Sequence, residues 1–167
     1  MPSYLSQRGA VEPFHAMDVL AEANRLRAAG RDIVSMAVGQ PGDPAPGPVR
    51  RTAQEALAAG SIGYTDALGI IELRQAIARH YADHYGLDVP VSRIAVTTGS
   101  SAGFNLAFLA MFEAGDRVAI TVPGYPAYRN ILHALGLEVV EIGHPGEGHL
   151  TARRLLAAHE EKPLKGV

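Results

Sequence analysis

The sequence predicts an α/β fold with a mostly parallel sheet, and three observations carry that expectation. From residue 93 onward, strand-length apolar runs alternate with helical stretches: RIAVTT, SSAGFNLAFLAMF, DRVAITV, YPAYRNILHALG, EVVEIG and TARRLLAAHEE. Alternation of this kind places helices in the crossovers between parallel strands. The joint TTGSS passes from strand to helix through a glycine turn. The chain has 167 residues, 47% hydrophobic and 19% charged, the composition of a globular chain of about one domain.

The elements follow in order. Phe14, Met17, Leu20 and Ala21 share one stripe, which predicts a helix from about Phe14 to Ala29 with Gly30 to stop it. Ile33 to Val38 reads as a short strand. It leads into VGQPGDPAPGPV, where Pro41, Pro44, Pro46 and Pro48 deny regular hydrogen bonding and predict an extended, shaped loop. A plain linker is the other reading of four prolines, although apolar periodic segments resume at once. Helices are expected at about Val49 to Ala59 and Ile70 to Tyr85; in the second, Ile70, Leu73, Ile77 and Tyr81 recur at helical spacing. The helix after Gly99 is apolar on nearly every side, with Asn105 its strongly polar interior residue, so protein is expected to cover it on more than one side. The last residues, PLKGV, read as the approach to another strand, so the end looks cut.

Composition excludes several chemistries. Thirteen of the 15 basic residues are arginine, and the two lysines, Lys162 and Lys165, fall in the last six positions. No amine chemistry can therefore come from a lysine in residues 1 to 161. The absence of Cys removes disulfides, thiolate catalysis and cysteine-ligated zinc. A net charge of -2 gives no footprint for nucleic acid or anionic lipid. No apolar run approaches the roughly 18 residues of a membrane span. The start MPSYLSQRG lacks the order of a signal peptide, so a cytoplasmic location is expected.

The segment RIAVTTGSSAGFNLAF is the most informative. Gly99 permits a tight turn, and Ser100 and Ser101 open a helix whose first N–H groups lack internal partners. Those groups, two hydroxyls and the positive end of the helix dipole suit a phosphate. Serine before a helix is also the ordinary N-cap. The same residues, Gly99-Ser100-Ser101-Ala102-Gly103, fit the G-x-S-x-G nucleophile elbow, with Ser101 as nucleophile and Asp116 plus His133, His144 or His149 as formal partners. One short strand and no HGGG-type loop precede residue 93, which weakens a hydrolase. His80 and His84 have the spacing of a two-histidine metal pair in HYADH, but Tyr81 stands in place of the glutamate of H-E-x-x-H. Flanking an apolar face, both are expected to be partly buried and hydrogen-bonded, and no metal site is expected. Arg50 with Arg51 and Arg153 with Arg154 read as solvated helix faces.

In order, IVSMAVGQPGDPAP, GYTDALGIIELRQAIARHY, RIAVTTGSSAGFNLAF and GDRVAITVPGYPAY resemble the first part of a class I/II aminotransferase, a pyridoxal-phosphate enzyme of fold type I. The resemblance runs from about Phe14 to the last residue. It implies an α/β/α fold, incomplete in this chain, with residues 1–48 as an N-terminal arm and substrate-side loop. Residues 49–167 would then form the first part of the large cofactor domain. It places Gly99, Ser100 and Ser101 in the phosphate cradle of pyridoxal 5'-phosphate, and Tyr125 as the ring against the cofactor pyridine. An ordinary core aromatic is the alternative for Tyr125. Tyr64 matches the tyrosine that reaches the phosphate of a neighbouring subunit, implying a homodimer, and Gly39 matches the loop beside the substrate carboxylate.

The resemblance also implies what is not here. The family's Schiff-base lysine, pyridine-pairing aspartate and carboxylate-binding arginine lie downstream of the position of Val167, so no catalytic residue is assigned and the chain alone is expected to be inactive. The implied activity is amino-group transfer between an α-amino acid and a 2-oxo acid. The rival readings are a non-enzymatic fragment or interaction module and, more remotely, a serine hydrolase using Ser101. In the family sheet RIAVTT lies at one edge and DRVAITV and EVVEI at the other, so exposed apolar strand edges are expected.

Overall fold

The computed structural model describes residues 6–60, 62–143 and 150–167. In chain order the helices and strands are α1 (His15–Ala28), α2 (Gly47–Ala58), α3 (Ile71–Tyr85), α4 (Ser100–Met111), β1 (Arg117–Thr121), α5 (Pro126–Ala134), β2 (Glu138–Ile142) and α6 (Ala152–Glu161). All six helices fall within about two residues of their predicted bounds. The chain divides into two compact units, Met1–Val38 with Gly99–Val167, and Gly39–Thr98.

In the first unit β1 and β2 pair in parallel, from Arg117 opposite Glu138 to Thr121 opposite Ile142. Helix α5 is the crossover that parallel pairing requires. On the other side of β1, Lys165 N–H donates to Arg117 O at 2.8 Å and Ala119 N–H to Gly166 O at 2.9 Å, so the end of the chain begins a third line of pairing. The core is Val118, Leu132 and Leu137, packed by Phe108, Phe112, Ile120, Leu135 and Val139. Leu132 is completely buried. Helix α6 starts at Thr151, whose hydroxyl accepts from Arg154 N–H at 3.3 Å as an N-cap.

In the second unit α2 begins at Gly47, earlier than expected, with Pro48 inside its first turn. A proline is tolerated there because a first-turn N–H has no helical acceptor to lose. The Arg74 guanidinium of α3 donates to Val91 O and Ile94 O, both at 2.8 Å, and Val96 N–H donates to Leu68 O at 3.0 Å.

Three expectations change. RIAVTT runs as extended chain from the end of a 3-10 turn at Val91–Arg93, and forms no ladder among the described residues. Its polar groups are met instead by Arg74 and Leu68. Ile33 to Val38 is likewise extended but unpaired. It alternates: Ile33, Ser35 and Ala37 are half-buried, while Val34 and Met36 are 86% and 93% exposed. Finally, α4 is covered on one side only among the described residues. Phe104, Phe108 and Phe112 face the core, whereas Leu106, Leu109 and Met111 are exposed because no described element packs on them.

Candidate functional site

Gly99 precedes α4 with φ 90° and ψ 169°, a backbone region populated essentially by glycine. It, and not a serine, is the N-cap residue, so the cap position itself supplies no side-chain bond; Ser100 and Ser101 are the first two helical residues. The first helical bond runs from Gly103 N–H to Gly99 O, so the N–H groups of Ser100, Ser101 and Ala102 have no intrahelical acceptor. No acidic residue lies in this first turn to neutralise them, and both serines are exposed. A Cβ added to Gly99 would meet no atom within 4 Å. The outcome is an open helix N-terminus with the positive end of its dipole presented outward.

Strand β1 delivers the second part. After Thr121 the Val122–Pro123 peptide is cis, and a Cβ on Gly124 would overlap the Thr121 carbonyl oxygen, so the chain can fold back on the strand end only with glycine there. Tyr125 is then the N-cap residue of α5, with Pro126 at the first helical position. Tyr125 is 49% exposed, and its ring is held edge-on by Phe14 at 6.0 Å and Tyr128 at 5.3 Å between centroids. It is therefore a half-open platform rather than a core aromatic. Tyr128 also meets Phe104 edge-on at 4.7 Å. Phe104 lies one turn after Ser101, and Tyr128 one turn after Tyr125. Helices α4 and α5 thus meet near their first turns and gather Gly99, Ser100, Ser101 and Tyr125 at one end.

This group belongs to the first unit, whereas Tyr64 and Gly39 belong to the second. Tyr64, in the second unit, is fully exposed. A Cβ on Gly39 would meet no atom within 4 Å, so packing within the described chain does not demand a glycine there. Lys162 is tied to the opposite end of the strands: its Nζ lies 2.7 Å from Glu138 Oε2, while Arg117 Nε donates to Glu138 Oε1 at 2.8 Å and its Nη1 to Lys162 O. Those bonds, Lys162 first, hold the Glu138 carboxyl below the usual carboxylate range. Arg117 and Glu138 start their strands and Tyr125 follows their far end, a separation of roughly 13 Å along the strand.

The hydrolase reading finds no support in the local geometry. Ser101 sits in regular helix, and no described residue other than glycine has a positive φ, so the strained elbow is missing. The Asp116 carboxylate accepts from Glu113 N–H at 2.9 Å, and His144 and His149 lie outside the described residues. An apolar groove of about 350 Å³ beside β1, lined by Phe104, Phe108, Ile120 and Val167 among others, carries no charged side chain and offers nothing to a phosphate. No cluster of three or more metal-ligating side chains forms among the described residues, and none of their helices is long and apolar enough to cross a membrane. His80 and His84 are exposed, with rings stacked on each other, instead of partly buried and hydrogen-bonded. Phe14, read from the sequence only as part of a helical stripe, joins the site with Tyr128 and Gly124, neither of which the motifs mark. The spacing of GYPAY pointed to Tyr128, three residues on along a helix; nothing local pointed to Phe14.

An α/β unit with an open helix start beside a half-open aromatic ring has the makings of a seat for a phosphorylated aromatic ligand. The family model for aminotransferase class I and II matches residues 31–167, and the chain belongs to that family, to its amino-terminal portion. The chain is similar to a valine–pyruvate aminotransferase of Mycobacterium tuberculosis, at 49% identity over 100% of this chain and 43% of that protein. A transaminase of Methanocaldococcus jannaschii named for (5-formylfuran-3-yl)methyl phosphate is 36% identical over 77% of this chain and 35% of its own length. Among solved structures, an aminotransferase from M. tuberculosis superposes with a TM-score of 0.88 at 48% identity, covering 97% of this chain and 42% of that one. The aspartate aminotransferase of Thermus thermophilus with maleate gives 0.84 at 35% identity, covering 93% and 42%. The chain therefore spans less than half the length of these relatives. Aminotransferases of this family depend on pyridoxal phosphate.

Proposed function

We propose that this chain is part of a pyridoxal-phosphate-dependent aminotransferase that moves an amino group between an α-amino acid and a 2-oxo acid. The observation that carries the reading is the start of α4, where the N–H groups of Ser100, Ser101 and Ala102 lack intrahelical acceptors, gathered at one end with the half-exposed Tyr125. The residues fit the cofactor on two counts. The unpaired N–H groups and serine hydroxyls are donors for a phosphate in open space, and Tyr125 offers a flat apolar face to a heteroaromatic ring. When bound, pyridoxal phosphate supplies an electron sink for charge that develops beside the substrate amine.

In this reading the serines and the N–H groups of α4 bind and orient the phosphate, and Tyr125, held by Phe14 and Tyr128, fixes the plane of the ring. Gly39 leaves space for the substrate carboxylate. Tyr64, fully exposed, serves a second subunit, so the working unit is a homodimer. Residues 1–48 act as arm and substrate-side loop, and 49–167 as the first part of the cofactor domain. Lys162 is engaged with Glu138 at the far end of the strands, so the 167 residues bind the cofactor without turning substrate over. The similarity to a valine–pyruvate aminotransferase makes an aliphatic amino acid and a short 2-oxo acid the first pair to assay once the sequence is extended.

The test is a calorimetric titration of pyridoxal phosphate into the 167-residue chain and its Ser101→Asp variant. An acidic residue in the first turn favours the helix and repels the phosphate, so the variant should fold at least as well and bind at least tenfold more weakly. Pyridoxal without the phosphate should bind weakly to both. Equal affinity of the two chains for pyridoxal phosphate would remove the phosphate seat from α4.

A further inference from the structure

We propose that His80 and His84 form a two-histidine site for a divalent transition-metal ion on α3. The four-residue spacing puts both imidazoles on one face, about 6 Å apart along the helix axis. The structure brings them together: the ring centroids are 4.8 Å apart and the planes lie within 25° of parallel. Both side chains are exposed. Among the described residues neither makes a hydrogen bond or ion pair, so no ring nitrogen must give up a protein partner to bind a metal. Tyr85 leans on both rings, at 5.8 Å from His80 and 5.9 Å from His84, and confines them to a common side of the helix. Much of the ordering that a chelate demands is thus complete before an ion arrives.

The donor set fixes the class of ligand. Imidazole nitrogen suits nickel, copper and zinc, whereas magnesium and calcium take oxygen. Metal–nitrogen bonds of about 2.1 Å require the nitrogens to approach within roughly 3 Å, which rotation of two already adjacent rings supplies. No third protein ligand joins them among the described residues, so water completes the coordination and the ion is exchangeable. The position of a catalytic glutamate between the histidines is held by Tyr81, so the site binds a metal without the base that hydrolysis would need. This inference is independent of the aminotransferase reading, since it uses none of the residues assigned to the cofactor.

Nickel chloride titrated calorimetrically into the 167-residue chain at neutral pH tests it. We expect one ion per chain, and about a hundredfold weaker binding after either His80→Ala or His84→Ala, because each change turns a chelate into a single ligand. His15→Ala, which removes an exposed histidine of α1, should leave binding unchanged. Nickel should also slow amide exchange across α3 in the parent chain and not in the variants. His84→Gln, which keeps a polar side chain on the helix but removes the imidazole, repeats the test should loss of the side chain itself disturb α3. Unchanged nickel affinity in the His80 and His84 variants, or an equal loss in His15→Ala, would overturn the proposal.

Discussion

Replacing Gly99 by alanine isolates a conformational cost from a steric one. At φ 90° and ψ 169° the backbone lies where residues with a Cβ are held at about 1–3 kcal/mol of strain, yet the added methyl would have no atom within 4 Å. The strain can be expressed in two ways. If the turn holds its shape, the chain loses that stability and keeps its phosphate seat. If the turn relaxes, stability recovers but the first N–H groups of α4 swing away, and pyridoxal phosphate affinity falls by as much as about 5- to 140-fold, at 1.4 kcal/mol per decade. The two losses should sum to about 1–3 kcal/mol. Urea denaturation followed by far-UV circular dichroism gives the first quantity, and calorimetry with pyridoxal phosphate the second. Ser100→Ala, which leaves the backbone free to keep its geometry, provides the reference. A Gly99→Ala chain within 0.3 kcal/mol and twofold of the parent on both measures would refute the link from backbone conformation to binding.

Other perturbations address the rest of the structure. Leu132→Ala empties a side chain that is completely buried and should cost about 2–5 kcal/mol in urea denaturation; a loss below about 1 kcal/mol would mean that Leu132 does not sit in the core. Thr151→Ala removes the N-cap of α6 and should cost about 1 kcal/mol, with faster amide exchange confined to that helix. The Glu138 carboxyl is depressed by Lys162 and Arg117, so its contribution to stability is full above the ordinary glutamate range and is lost as the pH falls through its folded value. The parent should therefore lose more stability than Glu138→Gln between neutral and acid pH; parallel pH profiles would contradict that pairing.

How far the sequence was legible depended on the range of the interactions involved. The helices, the β1–α5–β2 crossover and the glycine turn that opens α4 were readable because each rests on local periodicity, turn chemistry or helix-end geometry. RIAVTT and Ile33 to Val38 were misread as paired strands for the same reason. Their composition favours extended backbone, but a ladder needs a neighbour, which alternation alone cannot supply. The histidine pair was misjudged because helical spacing puts two residues on one face without saying whether that face meets protein or water.

The sequence by itself determined the family and the order of elements, since these follow from motifs whose parts lie within a few positions of one another. Tertiary structure decided that Gly99 and not a serine is the N-cap residue of α4, where Tyr125 stands and what holds it, and that Lys162 is bound at the opposite end of the strands. Phe14 and Tyr125 are far apart in the chain and meet edge-on at 6.0 Å. Only folding sets such a contact, because packing joins surfaces by shape and leaves no record in local sequence.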